Sequence, residues 1–235
     1  SPEFIKNFDE WIKIELTYTS NAIEGNTLSR PETALIVEKG ITIGGKSVNE
    51  HLEAINHAHA FELVQALAHK KREPVSENNI LDIHRIILSK IDDANAGRYR
   101  TVPVRIAGST VIMPNPLKVP FLMLAFERWL HAKNDEHSAK IAADAHLKLV
   151  TIHPFTDGNG RTARLLMNLL LMKNGYPPAI IKKEDRIRYI NAVEKAQLSG
   201  ETDDYYKIIF ESIETTFDMY FETLGEKTDL LSKKQ

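Results

Sequence analysis

Apolar positions recur at helical spacing along almost the whole chain. Phe4, Phe8, Trp11 and Ile12 open an amphipathic stretch that runs toward Gly25. Ser29-Arg30-Pro31-Glu32 has the form of a capping box with Pro in the first turn, and Gly40 is placed to close that helix. Ser47-Val48-Asn49-Glu50 is a second box, opening a long helix whose predicted buried side carries Val48, Leu52, Ile55, Leu63 and Leu67. After the polar break Lys70-Lys71-Arg72-Glu73-Pro74, Ser76 is positioned to cap a helix with Ile80, Ile83, Ile87 and Ile91 inward. Further helices are predicted at Val119–Ala132, Ser138–Ile152, Gly160–Lys173, Glu184–Leu198 and Asp203–Leu224. Thr202 is a cap for the last of these, with Asp203 and Asp204 favourably placed against the helix dipole.

One segment has a different period. Val102, Val104 and Ile106 alternate, Gly108-Ser109 can turn, and Val111 and Met113 resume before Pro114, which predicts one small β-hairpin in an otherwise all-α protein. No linker, repeat or low-complexity tract interrupts the 235 residues, so the expectation is a single unit spanning 1–235. Within it, 5–40 form an N-terminal helical region, 48–200 the core, and 202–235 a C-terminal helix and charged tail. Ser1-Pro2-Glu3-Phe4 reads as a cloning remnant and carries no weight.

Composition narrows the classes of function. The formal net charge is −2, which argues against a nucleic-acid partner. Cysteine is absent, so disulfides, thiolate metal sites and thiol nucleophiles are excluded. The longest apolar runs, such as Phe121–Phe126 and Leu169–Met172, are too short to span a bilayer, and the expected setting is cytoplasmic with no membrane partner.

The chemistry concentrates in His153-Pro154-Phe155-Thr156-Asp157-Gly158-Asn159-Gly160-Arg161-Thr162-Ala163-Arg164. A helix bearing Ala145, Leu149 and Ile152 runs into His153, and Pro154 disfavours its continuation. The chain then turns through Gly158-Asn159-Gly160 into a new helix, so backbone N–H groups converge on one point and make an anion nest at a helix N-terminus. Arg161 and Arg164 share a face of the first turn, where two guanidinium forks suit a polyphosphate. Asp157 at the loop mouth is a candidate Mg²⁺ (or Mn²⁺) ligand, because such ions keep waters and phosphate oxygens as their other ligands. His153 has the ordinary pKa of a general base near neutral pH.

This segment resembles the Fic-domain signature, His-Pro-Phe-x-Asp/Glu-Gly-Asn-Gly-Arg followed by a second Arg three residues later, and every signature position is filled. The hairpin before the motif and Gly97-Arg98-Tyr99-Arg100 agree with it, and the resemblance spans roughly residues 15 to 200. It implies the Fic fold, a helical bundle around the signature loop and helix with the hairpin as a flap over 102–114. It also implies transfer of AMP from ATP to a Ser, Thr or Tyr hydroxyl of a target protein, or of the protein itself, with release of pyrophosphate. In that scheme His153 takes the hydroxyl proton and Asp157 holds the metal between the α- and β-phosphates. Gly158, Asn159, Gly160 and Thr162 line the phosphate cradle, Arg161 meets the β-phosphate and Arg164 the γ-phosphate. Tyr189, Ile190 and Gln197 border the adenine and ribose, and the flap from Val104 to Met113 receives the target as an added strand. Fic domains often pair, so a homodimer is part of the expectation.

A second stretch, Ser20-Asn21-Ala22-Ile23-Glu24-Gly25-Asn26, resembles the family's inhibitory motif Ser/Thr-x-x-x-Glu-Gly/Asn. It implies a bidentate, charge-assisted contact from Glu24 to Arg164, on the order of 1.5–3 kcal/mol, that occupies the cation meant for the γ-phosphate. A related use of Glu24 is to align a water for removing AMP from a modified target. The rival readings are transfer of another nucleotide or phosphate-containing group, a non-catalytic nucleotide-binding module, and a metal-dependent phosphohydrolase built on His57, His59 and His146. His57 and His59 point to different faces of one helix, and the chain has no His-Asp dipeptide or His-Glu-x-x-His.

Overall fold

The computed structural model describes residues 2–132 and 135–223. Among these, nine α-helices follow one another: α1 (Pro2–Ile23), α2 (Arg30–Lys39), α3 (Val48–His69), α4 (Glu77–Ile87), α5 (Val119–His131), α6 (Ser138–Ile152), α7 (Asn159–Lys173), α8 (Arg186–Ser199) and α9 (Asp203–Thr223). The Phe4 side chain, Leu224 and the expected tail lie outside the described residues.

The helix boundaries follow the local chemistry closely. Ser29 Oγ accepts from Glu32 N while the Glu32 carboxylate accepts from Ser29 N, and Ser47 and Glu50 repeat the arrangement at α3. Ser76 does the same with Asn79 as its partner. Gly40 ends α2 in the left-handed region with φ 64°.

Helix α7 is the centre of the molecule. Arg161 through Leu169 are all buried, and α6 packs along it. One core lies on the side of α1, α3, α4 and α5, filled by Phe61, Ile80, Ile83, Met123, Leu149 and Phe155. A second core lies on the opposite side against α8 and α9, filled by Met167, Leu171, Tyr189, Tyr205 and Ile209. Two arginines therefore occupy the first turn of a helix with apolar packing on both sides. Such charges stay folded only when paired and hydrogen-bonded.

Several apolar positions fall elsewhere than their spacing predicts. Val48 is 74% exposed, and the buried side of α3 is instead Ala54, His57, Ala58, Phe61 and Val64. Only Ala54 and Ala58 on this side are small, and they leave room beside the larger His57 and Phe61. Helix α4 ends at Ile87, so Ile91 lies beyond it and is only half-buried. Trp11 is 38% exposed.

The segment over 102–114 is the clearest departure, for it turns at Ala107–Gly108 but carries no strand among the described residues. Its polar groups bond elsewhere. Arg100, 2% exposed, donates to Val102 O and Pro114 O at the two feet of the loop and to His153 O. Glu194 of α8 accepts from Ser109 Oγ, Thr110 N and Thr110 Oγ1 at its tip. A loop tied at foot and tip by side chains does not need a ladder.

Candidate active site

Helix α6 ends at His153, whose N–H donates to Leu149 O at 2.9 Å while its backbone adopts φ 50° and ψ 60°. That left-handed conformation is rare outside glycine, and it turns the imidazole out of the helix and into a cleft of about 290 Å³. Nδ1 lies 3.3 Å from Val150 O, which can only accept, so Nδ1 carries the proton and Nε2 keeps its lone pair. Burial pushes the His153 pKa below its ordinary value, and the Arg100 charge acts the same way.

The loop after His153 is held from beneath. Phe155 is fully buried and stacks on His84, with ring centroids 3.6 Å apart and planes 5° apart. His84 accepts from Gly97 N at Nδ1 and donates through Nε2 to Asp157 O at 3.0 Å. Asn159 closes the loop on itself, accepting from Phe155 N and donating to Phe155 O, both at 2.9 Å. Its side chain is thus a clamp rather than a ligand, and its contribution to an anion is its backbone.

Asp157 stands at the mouth with its side chain 66% exposed, 3.0 Å from Arg161 Nη2. Arg161 also meets Glu53 at 3.1 Å. Glu53 in turn accepts from Asn26 Nδ2 at 2.8 Å, and its backbone carbonyl accepts from Asn21 Nδ2 at 3.1 Å. Among the described residues no three acidic or histidine side chains come together as a ready metal cage. A single exposed carboxylate beside a phosphate cradle still fits Mg²⁺, which fills its shell with water and substrate oxygens.

Arg164 is almost fully buried. Its Nε donates to Ser20 Oγ and its Nη2 to Ser20 O, each at 2.9 Å, and Nη2 meets Glu24 Oε1 at 2.6 Å. A Cβ built on Gly160 would overlap that same Glu24 oxygen and lie 3.0 Å from Arg164 Nη1. The Glu24 carboxylate therefore sits directly over the start of α7. It is fixed there by the end of α1: Gly25, φ 102°, makes a turn that side-chain-bearing residues rarely adopt, and Arg186 Nε donates to Ile23 O at 2.6 Å.

Glu24, His153, Asp157, Gly158, Asn159, Gly160, Arg164, Tyr189 and Gln197 all line the one cleft, with Arg105, Ile106 and Ser109 of the flap opposite. Ser20 stands behind Arg164, and Gly25 acts through the backbone. Two expected phosphate contacts do not face the cleft. Thr162 is fully buried with its hydroxyl unpartnered, because the helix turns it toward the core. Arg161 touches the cleft only through Asp157. Tyr189 is 4% exposed, with its hydroxyl 2.6 Å from His146 Nε2. Gln197 donates weakly to Thr151 Oγ1 at 3.3 Å. His57 is buried against Thr17 while His59 is exposed, as their spacing predicts.

Glu53, His84 and Arg186 brace the site from outside the signature, and Arg100, noted only as part of the run before it, ties His153 O to the loop feet. Each finds its partner far away in the sequence, which local spacing does not reveal.

The family model described as Fic/DOC matches residues 74–171. The chain is similar to a protein adenylyltransferase Fic of Culex quinquefasciatus, 38% identical over 224 residues, covering 94% of this chain and 44% of that protein. It is also similar to a protein adenylyltransferase Fic of Nematostella vectensis, 41% identical, with 86% of this chain and 47% of that protein covered. Among solved structures, a Fic domain containing signaling protein of Bacteroides thetaiotaomicron superposes with TM-score 0.85 at 30% identity, covering 97% of this chain and 92% of that one. Fic-1 (aa134 - 508) of C. elegans superposes with TM-score 0.84 at 36% identity, covering 92% of this chain and 64% of that one. The chain belongs to the Fic family, and it spans about half the length of the curated relatives it matches.

Proposed function

We propose that this protein is an autoinhibited protein adenylyltransferase, moving AMP from ATP to a hydroxyl of a target protein or of itself. The observation that carries the proposal is that His153, Asp157, the N-terminus of α7 and Arg164 line one cleft whose phosphate end is occupied by Glu24.

His153 Nε2 accepts the proton of the target hydroxyl as its oxygen attacks the α-phosphorus. The bond to the β-bridging oxygen breaks and pyrophosphate leaves. The backbone N–H groups at the start of α7 and the Arg164 guanidinium neutralise charge on the phosphates, which supplies most of the rate in transfers of this type. Asp157 would hold Mg²⁺ (or Mn²⁺), which neutralises phosphate charge when bound. Arg161 pairs with Asp157 and Glu53 and would position the carboxylate that holds the metal, its own contact with the β-phosphate requiring the pair with Asp157 to open. The base lies in the slot bounded by Ile106, Ile190, Val193 and Gln197.

With Glu24 on Arg164 the γ-phosphate has no cation, so ATP binds in an unproductive pose. Intact-mass spectrometry tests this reading. The Glu24→Gly protein with ATP and Mg²⁺ gains one or more adenylyl groups, and Glu24→Gly with His153→Ala gains none. Equal modification of wild type and Glu24→Gly overturns the inhibition. Comparing GTP, UTP and CTP as donors tests the nucleotide.

A second reading rests on the exposure of Glu24, whose side chain is 38% accessible inside the cleft that also holds His153. A carboxylate there can align a water against an adenylylated target, releasing AMP. Loss of that release on Glu24→Gly supports it. A cytoplasmic setting, a target strand held along the flap and a homodimer complete the proposal, the last tested by light scattering.

A further inference from the structure

We infer that Glu53 is a positioning residue that couples the metal carboxylate Asp157 to the inhibitory turn, holding Arg161 with one oxygen and Asn26 with the other. The inference rests on the readings above of Asp157 as the Mg²⁺ carboxylate and of Glu24 as the inhibitor.

Glu53 on α3 reaches both the end of α1 and the first turn of α7. Its Oε1 lies 3.1 Å from Arg161 Nη1, and its Oε2 accepts from Asn26 Nδ2 at 2.8 Å. Its backbone carbonyl accepts from Asn21 Nδ2 at 3.1 Å, and Asn26 Nδ2 also donates to Glu50 O at 3.1 Å. Asn26 N donates to Asn21 O at 3.0 Å, so these two side chains clasp to α3 the turn that carries Glu24. On the other side, Arg161 Nη2 lies 3.0 Å from Asp157 Oδ2.

The Arg161 side chain is 3% exposed, and its Nε is buried without a hydrogen-bond partner. A buried cation has to be neutralised, and among the described residues Glu53 and Asp157 are the carboxylates within ion-pair distance of it. Each therefore limits the pull of Arg161 on the other. With Glu53 in place, Arg161 keeps one carboxylate when Asp157 turns to a metal. Without Glu53 the whole charge of Arg161 falls on Asp157, which then yields to Mg²⁺ less readily. One oxygen of Glu53 thus serves the metal site, while the other serves the inhibitory turn. Losing this carboxylate should loosen the inhibition and weaken the metal site together.

Gln has the shape of Glu but no charge, and one acceptor oxygen in place of two. Whichever way its amide is turned, Arg161 or Asn26 faces an N–H group, and Arg161 loses a charged partner in both cases. A residue that only filled space at position 53 would accept Gln without either loss. Glu53 lies outside residues 74–171, so this link is built by chain beyond the family-matched segment.

Two measurements on Glu53→Gln test the coupling. In the Glu24→Gly background, calorimetric ATP binding is followed against Mg²⁺, and the Mg²⁺ concentration giving half the gain in affinity should rise roughly fivefold. With Glu24 in place, amide hydrogen exchange across residues 21–28 should quicken roughly tenfold, the equivalent of one lost hydrogen bond. Asn26→Ala should quicken that exchange while leaving the Mg²⁺ dependence within about twofold. A change in one readout without the other in Glu53→Gln overturns the coupling. So does a Mg²⁺ dependence that shifts equally in Asn26→Ala, since general loosening would then explain both. If Glu53→Gln does not fold, Glu53→Asp keeps the charge, shortens the reach and should move both readouts in the same directions; no movement overturns the coupling. If Mg²⁺ adds nothing to ATP affinity in the Glu24→Gly protein, or adds as much with Asp157→Asn, the metal reading of Asp157 falls instead. That result is told apart from the others because it needs no substitution at Glu53.

Discussion

The carboxylate of Glu24 fills the space that a side chain on residue 160 would need. A Cβ on Gly160 overlaps Glu24 Oε1, while its other close neighbour, Arg164 Nη1, is at 3.0 Å. Gly160→Ala is therefore expected to destabilise the wild-type protein by about 1–3 kcal/mol, as overpacking does. The cost should be smaller by at least about 1 kcal/mol when Glu24 is already Gly. A double-mutant cycle on thermal melts measures the coupling, and additive effects of the two substitutions contradict the packing.

With His153 in its proposed role as base, the pH profile of transfer follows from its depressed pKa. The base form is the neutral ring, and burial keeps it neutral below the ordinary value of 6.5. Activity of the Glu24→Gly protein should be level above that value and fall as pH drops through a lower inflection. Measured as kcat/KM against pH, an inflection at or above 6.5 would show the imidazole to be more exposed to water than the structure has it.

Glu194 links α8 to the flap tip through Ser109 and Thr110. These bonds hold the Glu194 pKa below the usual carboxylate range, the backbone N–H of Thr110 contributing most. Glu194→Ala should leave α6 and α7 unchanged but speed amide hydrogen exchange across residues 105–111. Target modification should fall more than ATP binding, because a loose flap presents no fixed edge to a peptide. Unchanged exchange in the flap would show that Arg100 at its feet suffices.

The sequence makes the helices and the signature loop legible because both depend on local rules. Ser29 and Ser47 cap within three residues, and the loop from His153 to Gly160 is one continuous motif. Glu24 and Arg164 are legible as a pair only through the family resemblance, since they are far apart in the chain. What local rules miss is set by packing. Val48 faces out while α3 buries Ala54, Ala58 and Phe61. The alternation of Val102, Val104 and Ile106 promises a strand, yet Arg100 and Glu194 take the flap's polar groups and no ladder forms. Thr162 shows the same limit at the site, its hydroxyl turned into the core. Adjacency to a motif does not say which way a side chain points.

Acid should loosen the fold through its buried histidines before it protonates most carboxylates. His84 is neutral in the native state, its Nδ1 accepting from Gly97 N at 2.9 Å and its ring stacked on Phe155. Protonation would put two donors face to face there, and burial first of all lowers its pKa to about 4. In the unfolded chain the ring titrates near 6.5, so between that value and about 4 the unfolded state binds more protons. Stability is then constant above pH 6.5 and falls as pH falls through that window. His57 and His146, each held down to about 3 by burial and by Arg164, add slope in the same direction. Replacing His84 by Gln should lower stability at pH 7, because the ring's stacking and one hydrogen bond are lost, by about 1–3 kcal/mol. It should also shrink the further loss between pH 6.5 and 5 by about 1–2 kcal/mol. Urea melts of both proteins at the two pH values decide it: parallel losses would mean that His84 is not neutral in the native state.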